Sequence, residues 1–364
     1  MKAGIVGLPN VGKSTLFNCL SNAKAQSANF PFCTIEPNIG VVNVPDSRIE
    51  KLEELVKPER VQMATVDIVD IAGLVKGASK GEGLGNQFLG NIRECNAIIH
   101  VLRCFDNDNI VHVDGNVNPI RDKETIDIEL QLKDLENVEK RLEKVKRAAK
   151  TGNKEAIVEE ALLNRIRETL LQAKSARTIT PQNNDEEVLM EGFQLITAKP
   201  VLYVCNVDEN SAVNGNKYVD QVRELVKDED AEVIVLSVGA EADITELESY
   251  EERQVFLEDM GLTEPGASVL IRAAYKLLKQ QTYFTAGVKE VRAWTINVGS
   301  TAPQAAGVIH TDFEKGFIRA EVIAYEDFVH YGSEAKCKEA GKFKVEGKEY
   351  IVKDGDVMHF RFNV

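Results

Sequence analysis

A phosphate-binding loop stands near the start of the sequence, and such a loop forms between a strand and a helix. Residues 7–14 read GLPNVGKS and satisfy the pattern G-x-x-x-x-G-K-[ST] at every position. An apolar run at 1–6 precedes the loop and a helically spaced run at 15–20 follows it, which is the strand–loop–helix setting that the motif requires. The glycines allow backbone N–H groups to turn toward phosphate oxygens, and the helix N-terminus adds its positive dipole. The chain is therefore predicted to bind a nucleoside triphosphate within an α/β domain.

The same loop assigns roles to individual residues. Lys13 is expected to reach the β- and γ-phosphates as a catalytic residue, and the Ser14 hydroxyl is expected to ligate Mg²⁺. The backbone amides expected to surround the phosphates are those of Asn10, Val11, Gly12, Lys13, Ser14 and Thr15.

Composition limits the classes of protein that remain. The 364 residues carry a formal net charge of −14, which argues against a protein that coats nucleic acid by bulk electrostatics. The six cysteines are scattered without a C-x-x-C pair, as expected of reduced thiols in a cytoplasmic protein. The sequence shows neither a signal peptide pattern nor an apolar stretch of membrane-spanning length. A cytoplasmic location, no membrane partner and, by default, a monomer are expected.

Changes of texture along the chain predict three domains. Residues 1–125 and 199–277 alternate apolar strands with polar helical segments, which favours a mostly parallel sheet covered on both faces. Residues 126–198 have the heptad-like spacing of a helical coiled-coil hairpin inserted into that domain. Residues 278–364 contain the short alternating strands of a small α+β module.

The predicted hairpin carries a cluster of basic residues near its tip. Its members are Lys140, Arg141, Lys144, Lys146, Arg147 and Lys150. A solvated helix face and a surface that contacts RNA or the ribosome both account for such a cluster, and both interpretations stay open.

Two further segments complete the expected phosphate and metal site. Asp70 follows an apolar strand in the sequence DIAG and is expected to hold Mg²⁺ through water. Thr34 is expected to complete the metal ligands as part of a first switch segment. A glycine-rich run at 73–85 predicts a second switch that γ-phosphate and metal would order.

The base-reading motif departs from the Asn-Lys-x-Asp pattern of GTPases. Residues 206–209 read NVDE, so Val207 replaces the lysine and Glu209 replaces the aspartate that accepts hydrogen bonds from guanine. Asn206 is expected to pair with the N6/N7 edge of adenine, and Ser237 is expected in the last loop that contacts the base. The motif favours ATP over GTP. A GTPase in which Glu209 substitutes for the aspartate stays open as the alternative.

Taken together, these motifs resemble the YchF (Obg-like ATPase) family. The resemblance covers essentially the whole chain and includes FPFCTIEPN at 30–38, DIAGLVKGASKGEGLG at 70–85 and YFTAGVKEVRAWT at 283–295. It implies a GTPase-like domain with a helical insertion and a C-terminal TGS domain of β-grasp shape. It also implies a preference for ATP and association with the ribosome, with RNA contacts expected through the basic hairpin and the TGS domain.

The resemblance also bears on hydrolysis. Leu74 stands where many GTPases carry the glutamine that orients the attacking water, so slow intrinsic hydrolysis is expected. His112 matches a family histidine to which water activation is attributed, although a structural imidazole fits the sequence equally well. Asn10 is similar to the asparagine that recruits K⁺ in some relatives. An RNA- or ribosome-binding adaptor in which hydrolysis is incidental is the remaining alternative.

Overall fold

The computed structural model describes residues 1–22, 39–71, 84–113 and 115–363, without the side chains of residues 22 and 84–87. In this part of the chain the strands are β1 (Lys2–Val6), β2 (Ile39–Asn43), β3 (Val61–Gln62), β4 (Thr65–Asp70), β5 (Ala97–Arg103), β6 (Val201–Asn206), β7 (Glu232–Leu236), β8 (Gln280–Ala286), β9 (Val291–Asn297), β10 (Phe317–Ile323), β11 (Lys344–Glu346) and β12 (Val357–Phe362).

Helices connect these strands. They are α1 (Lys13–Asn22), α2 (Ser47–Val56), α3 (Leu84–Glu94), α4 (Pro119–Lys150), α5 (Lys154–Leu171), α6 (Asn184–Phe193), α7 (Lys217–Val226), α8 (Val238–Glu246), α9 (Tyr250–Asp259), α10 (Gly266–Leu277), α11 (Ala302–Ile309), α12 (Thr311–Lys315), α13 (Tyr325–Tyr331) and α14 (Glu334–Glu339). None of these helices has both the length and the apolar composition that crossing a membrane requires.

The first sheet has the strand order β2-β4-β1-β5-β6-β7. Its central strands pair in parallel, from β4 through β1, β5 and β6 to β7. Every residue of β5 and β6 is buried, as expected of central parallel strands covered on both faces. Neighbouring parallel strands need only one crossover helix, whereas α4, α5 and α6 all lie between β5 and β6, so part of this segment is an insertion. The predicted α/β fold with a helical insertion and a C-terminal α+β part is confirmed.

The arm, the name we use for α4 and α5, is a helical hairpin. The tight turn at 151–153 reverses the chain, and the Asn153 side chain accepts a hydrogen bond from the Ala156 N–H to cap α5. Val138 and Leu142 of α4 are buried in one apolar cluster with Leu162 and Ile166 of α5. The heptad-like seam of the sequence is therefore the face along which the two helices pack.

The described residues fall into two compact units, 1–40 with 67–270 and 41–66 with 271–364. The arm belongs to the first unit. Segment 41–66 belongs to the second because β3 pairs in parallel with β9 and α2 packs against β8 and β9. This grouping of 41–66 with the C-terminal residues differs from the predicted boundaries, which kept all of 1–125 in the nucleotide domain.

The second unit is built on a mixed sheet of order β11-β10-β12-β8-β9-β3. Strands β8 and β9 are antiparallel, as are β10 and β12, whereas β12 and β8 are parallel. Tyr283, Phe317 and Phe360 lie in its main apolar cluster together with alanines of α11. This is the expected α+β architecture, and its assignment as a TGS domain stays a prediction.

Candidate functional site

The phosphate loop lies between β1 and α1, at the carboxyl end of a central strand. Gly12 has a φ of 98°, and a Cβ there would lie 2.7 Å from Asn206 Nδ2. Gly7 has a φ of 157°, and a Cβ there would lie 2.6 Å from the Val101 carbonyl oxygen. Backbone conformation and space therefore both require glycine at the two motif positions.

Lys13 begins α1 with a buried side chain. Its Nζ donates a hydrogen bond to the Leu8 carbonyl oxygen at 2.6 Å, across the loop that it closes. Burial lowers the pKa of Lys13 to about 8, and the nearby negative charge of Asp70 opposes that shift. The ammonium group thus lies in a site of low polarity where a phosphate would be its natural counterion.

The residues near the end of β4 fit the expected Mg²⁺. Asp70 Oδ1 is buried and has no hydrogen-bond partner among the described residues. A buried carboxylate oxygen without a donor is costly unless a cation or its water completes the site. Ser14 is exposed on the first turn of α1 and supplies a hydroxyl oxygen, and such oxygen donors suit Mg²⁺. The predicted ligand Thr34 lies outside the described residues, as do Leu74 and the glycine-rich run to residue 83.

A cavity of about 600 Å³ opens beside the phosphate loop. Asn10, Gly12 and Thr15 line it on the loop side, and the segments that follow β5, β6 and β7 line the rest. Among the residues that those segments contribute are Phe105, Ile110, Val207, Glu209, Ser237 and Val238. Its position next to the phosphate loop makes it the candidate site for the nucleoside.

Asn206 connects the phosphate loop to the start of α8. Its Nδ2 donates to the Val11 carbonyl oxygen at 2.9 Å, and its Oδ1 accepts the Val238 N–H at 3.0 Å. The side chain is buried, with 4% of its surface exposed. The base-reading motif predicts that this amide pairs with the N6/N7 edge of adenine, and that contact stays a prediction. The motif does not predict that Asn206 bridges Val11 and Val238.

The two acidic residues of the base motif differ in their environment. The Asp208 carboxylate accepts hydrogen bonds from the Ser211 N–H at 3.2 Å and the Ser211 hydroxyl at 3.0 Å, which caps a short 3₁₀ turn. Glu209 is exposed at the start of that turn. Val207 is buried, and the Ser237 hydroxyl accepts from the Ala240 N–H to cap α8. Of the two carboxylates, Glu209 is the one that is not used to cap the turn.

His112 lies in the loop after β5, and only 8% of its surface is exposed. Its Nε2 is 2.8 Å from Asp122 Oδ2 in the first turn of α4, and Arg121 contacts the other oxygen of that carboxylate at 3.1 Å. The neighbouring carbonyl of Val111 accepts a hydrogen bond from Asn10 Nδ2 at 3.2 Å. The loop after β5 therefore touches both the phosphate loop and the root of the arm.

Sequence reasoning missed Phe105 and Ile110, which line the cavity, and Arg103, which contacts both of their backbones. No motif marks the segment 103–110. A single aromatic residue in a polar stretch was the available signal, and it is common in loops.

Comparison with known proteins places these features in one family. A protein-family model described as 50S ribosome-binding GTPase matches residues 2–158, and the model YchF-GTPase_C, described as a protein of unknown function, matches residues 280–363. The chain is similar to the Ribosome-binding ATPase YchF of Pasteurella multocida, with 57% identity over 100% of this chain and 99% of the relative. The protein of the same name from Bacillus subtilis is 54% identical over the full length of both chains.

A solved structure agrees with the sequence relatives. The structure of the Schizosaccharomyces pombe YchF GTPase matches with a TM-score of 0.89 at 39% identity, over 99% of this chain and 97% of the other.

Proposed function

The chain belongs to the YchF family, and from that premise we propose that it is a Mg²⁺-dependent, ribosome-binding ATPase that works as a nucleotide-operated switch and prefers ATP to GTP. The curated relatives are named ribosome-binding ATPases, which supports hydrolysis and the ribosome as partner. A cytoplasmic location follows from this partner.

The acidic residues at the base cavity support the proposed preference for ATP. Guanine presents N1–H and 2-amino donors, and a well-placed carboxylate accepts hydrogen bonds from both. Adenine lacks the 2-amino group. Asp208 is used to cap its own turn, so Glu209 is the acid left to read guanine. An exposed glutamate side chain loses conformational freedom and solvation when it binds, and the guanine-specific gain is correspondingly small.

The phosphate site supports hydrolysis with Mg²⁺. We propose that Lys13 holds the β- and γ-phosphates, that Ser14 and Thr34 ligate the metal and that Asp70 holds one of its waters. Mg²⁺ would neutralise charge on the phosphates, and the loop amides from Asn10 to Thr15 would orient them. With Leu74 in place of a water-orienting glutamine, intrinsic turnover is slow.

We propose that His112 acts on the attacking water only after it leaves Asp122. The His112 imidazole is buried and contacts the Asp122 carboxylate. Activation of the attacking water by His112 therefore requires a rearrangement of the loop after β5. We also propose that Asn10 recruits K⁺ to the phosphates. Equal hydrolysis rates in K⁺ and Na⁺ buffers would exclude that ion.

Competition titrations with fluorescent ATP and GTP analogues in Mg²⁺ test the base preference. We expect ATP to bind more tightly than GTP in the unmodified protein. Glu209→Asp restores the shorter carboxylate of the GTPase motif and should shift the ratio of the two dissociation constants toward GTP. Glu224→Asp makes the same change on an exposed helix face of α7 and should leave the ratio unchanged.

Tighter binding of GTP by the unmodified protein would overturn the ATPase assignment and favour the alternative in which Glu209 reads guanine. Retention of ribosome binding and cellular effect by a Lys13→Ala variant without turnover would instead favour an adaptor.

A further inference from the structure

One buried arginine shapes the part of the base cavity that the loop after β5 provides. Arg103 is the last residue of β5, and 2% of its surface is exposed. Its three guanidinium nitrogens reach three different carbonyl oxygens. Nε donates to Phe105 at 3.2 Å, Nη2 to Asn107 at 3.0 Å and Nη1 to Ile110 at 2.9 Å.

This arrangement determines the path of residues 105–110. A loop of this length has backbone acceptors that no sheet or helix satisfies, and the planar fork of Arg103 satisfies three of them at fixed relative positions. A lysine at this position would keep the charge, but its single nitrogen cannot span three carbonyls arranged for a guanidinium group.

The same side chain also contacts the ring of Phe105. The guanidinium carbon lies 4.8 Å from the ring centroid, within the range of a cation–π contact. Phe105 and Ile110, the first and last of the residues whose carbonyls Arg103 binds, both line the cavity. Val207 and Val238 add apolar surface to that cavity from other segments.

We propose that Arg103 is a positioning residue for purine binding: it holds Phe105 and Ile110 as an apolar wall against which the base packs. This inference rests on the proposed nucleotide site. Arg103 itself stays within the protein and does not touch the nucleotide. Because an apolar wall packs against adenine and guanine alike, Arg103 raises the affinity for both ATP and GTP. The ratio of the two affinities depends on Glu209 instead.

Arg103→Lys and Phe105→Ala, titrated with ATP, GTP and inorganic tripolyphosphate, test the proposal. Tripolyphosphate occupies the phosphate loop without a base. From the usual strength of base–aromatic packing, we expect both variants to bind ATP and GTP roughly tenfold more weakly. The ratio of the ATP and GTP dissociation constants, and the affinity for tripolyphosphate, should be unchanged. Arg165→Lys is the matched control. Arg165 lies on α5 of the arm, and its guanidinium donates to the Glu186 carboxylate and the Thr180 carbonyl.

The double variant of Arg103 and Phe105 gives a second measurement. If Arg103 acts through Phe105, the loss of ATP affinity in the double variant is smaller than the product of the two single losses. Parallel loss of ATP and tripolyphosphate binding in Arg103→Lys would overturn the proposal, because it would indicate general damage to the domain. Unchanged ATP affinity in Phe105→Ala would overturn it even if the Arg103 variant failed to fold. A change of the ATP-to-GTP ratio in either variant would also overturn the proposal, whereas tighter binding of GTP than of ATP by the unmodified protein would count against the ATPase assignment alone.

Discussion

Among single residues, Lys13 should give nucleotide binding a defined pH dependence. Burial lowers its pKa to about 8, and a bound phosphate favours the ammonium form and raises the pKa again. Below about pH 8 the group is already protonated, so ATP affinity should be flat there. Above that pH, binding must take up a proton, and affinity should fall by up to about tenfold per pH unit.

Calorimetric titration in buffers of different ionisation enthalpy measures that proton directly. Uptake should approach one proton per ATP near pH 9 and vanish near pH 7, because only the Lys13 amine that is deprotonated before binding takes up a proton. Binding without proton uptake at the higher pH would contradict the assigned environment of Lys13.

Asp70→Asn tests the metal site at the same scale. The change removes the charge and replaces one carboxylate oxygen by an N–H donor, whereas Asp70 Oδ1 is buried without a donor among the described residues. We expect the Mg²⁺ concentration needed for half-maximal ATP binding to rise by roughly ten- to a hundredfold, as for other residues that hold a metal through water. Binding of ATP in the absence of Mg²⁺ is the internal control, and an equal loss there would point to a disturbed phosphate loop instead.

The sequence predicts site residues that belong to a local motif. It does not predict those whose role depends on contacts between residues far apart in the chain. Lys13 begins α1, Asp70 ends β4 and Val207 follows β6, and the roles that the motifs assign to them stay predictions. The bridge from Asn206 to the Val11 carbonyl joins positions 195 residues apart. The role of Arg103 depends on where three loop carbonyls point, and no residue pattern encodes that directly.

At the scale of elements, one carboxylate fixes the return of the chain from the arm to the sheet. Asp134 of α4 is fully buried and accepts hydrogen bonds from the Ile196 N–H at 3.0 Å, the Thr197 N–H at 2.7 Å and the Thr197 hydroxyl at 2.7 Å. The Thr197 hydroxyl oxygen in turn accepts the Ala176 N–H. Burial raises the pKa of Asp134, although the hydrogen bonds from Thr197 and Ile196 act in the opposite direction. The desolvation of the carboxylate is therefore only partly offset by these bonds.

Asp134→Asn should lower the free energy of unfolding by about 1–3 kcal/mol, because an amide has one acceptor oxygen and would leave a buried donor of Ile196 or Thr197 unsatisfied. Urea unfolding measures the loss, and hydrogen exchange at the Ile196 and Thr197 amides locates it. Glu139→Gln, the corresponding change at an exposed position of α4, should cost less than about 0.5 kcal/mol. Equal stability of the two variants would mean that relief of desolvation compensates for the lost bonds.

The elements themselves were largely predictable, because apolar alternation and heptad-like spacing are strong local signals. The arm and most strands of both sheets follow from them, whereas β8 and β11 were not predicted. The grouping of 41–66 with the C-terminal unit was not predictable in this way. It depends on the two-residue strand β3, which pairs with β9 more than 200 positions later in the chain and is too short to produce a periodic pattern.

At the scale of the whole molecule, a chain of net charge −14 must approach an RNA-rich partner against its own repulsion. The arm offers a local exception. Lys140 and Arg141 are neutralised by ion pairs with Glu136 and Glu159, which the sequence did not reveal. The last turns of α4 expose Lys144, Lys146, Arg147 and Lys150 beside the hairpin turn. We therefore expect the contact with the ribosome at this end of the arm.

Two charge-matched variants separate that contact from bulk electrostatics. Changing Lys144, Lys146 and Arg147 to Glu lowers the formal net charge from −14 to −20, and changing the exposed Lys51, Lys57 and Lys227 to Glu lowers it equally. Only the arm variant should lose ribosome co-sedimentation, and the slope of its salt dependence should fall by about one for each phosphate contact removed. Its intrinsic ATPase rate should be unchanged, since the changed side chains lie outside the nucleotide cavity. Equal losses in both variants would mean that total charge, and not the tip of the arm, governs association.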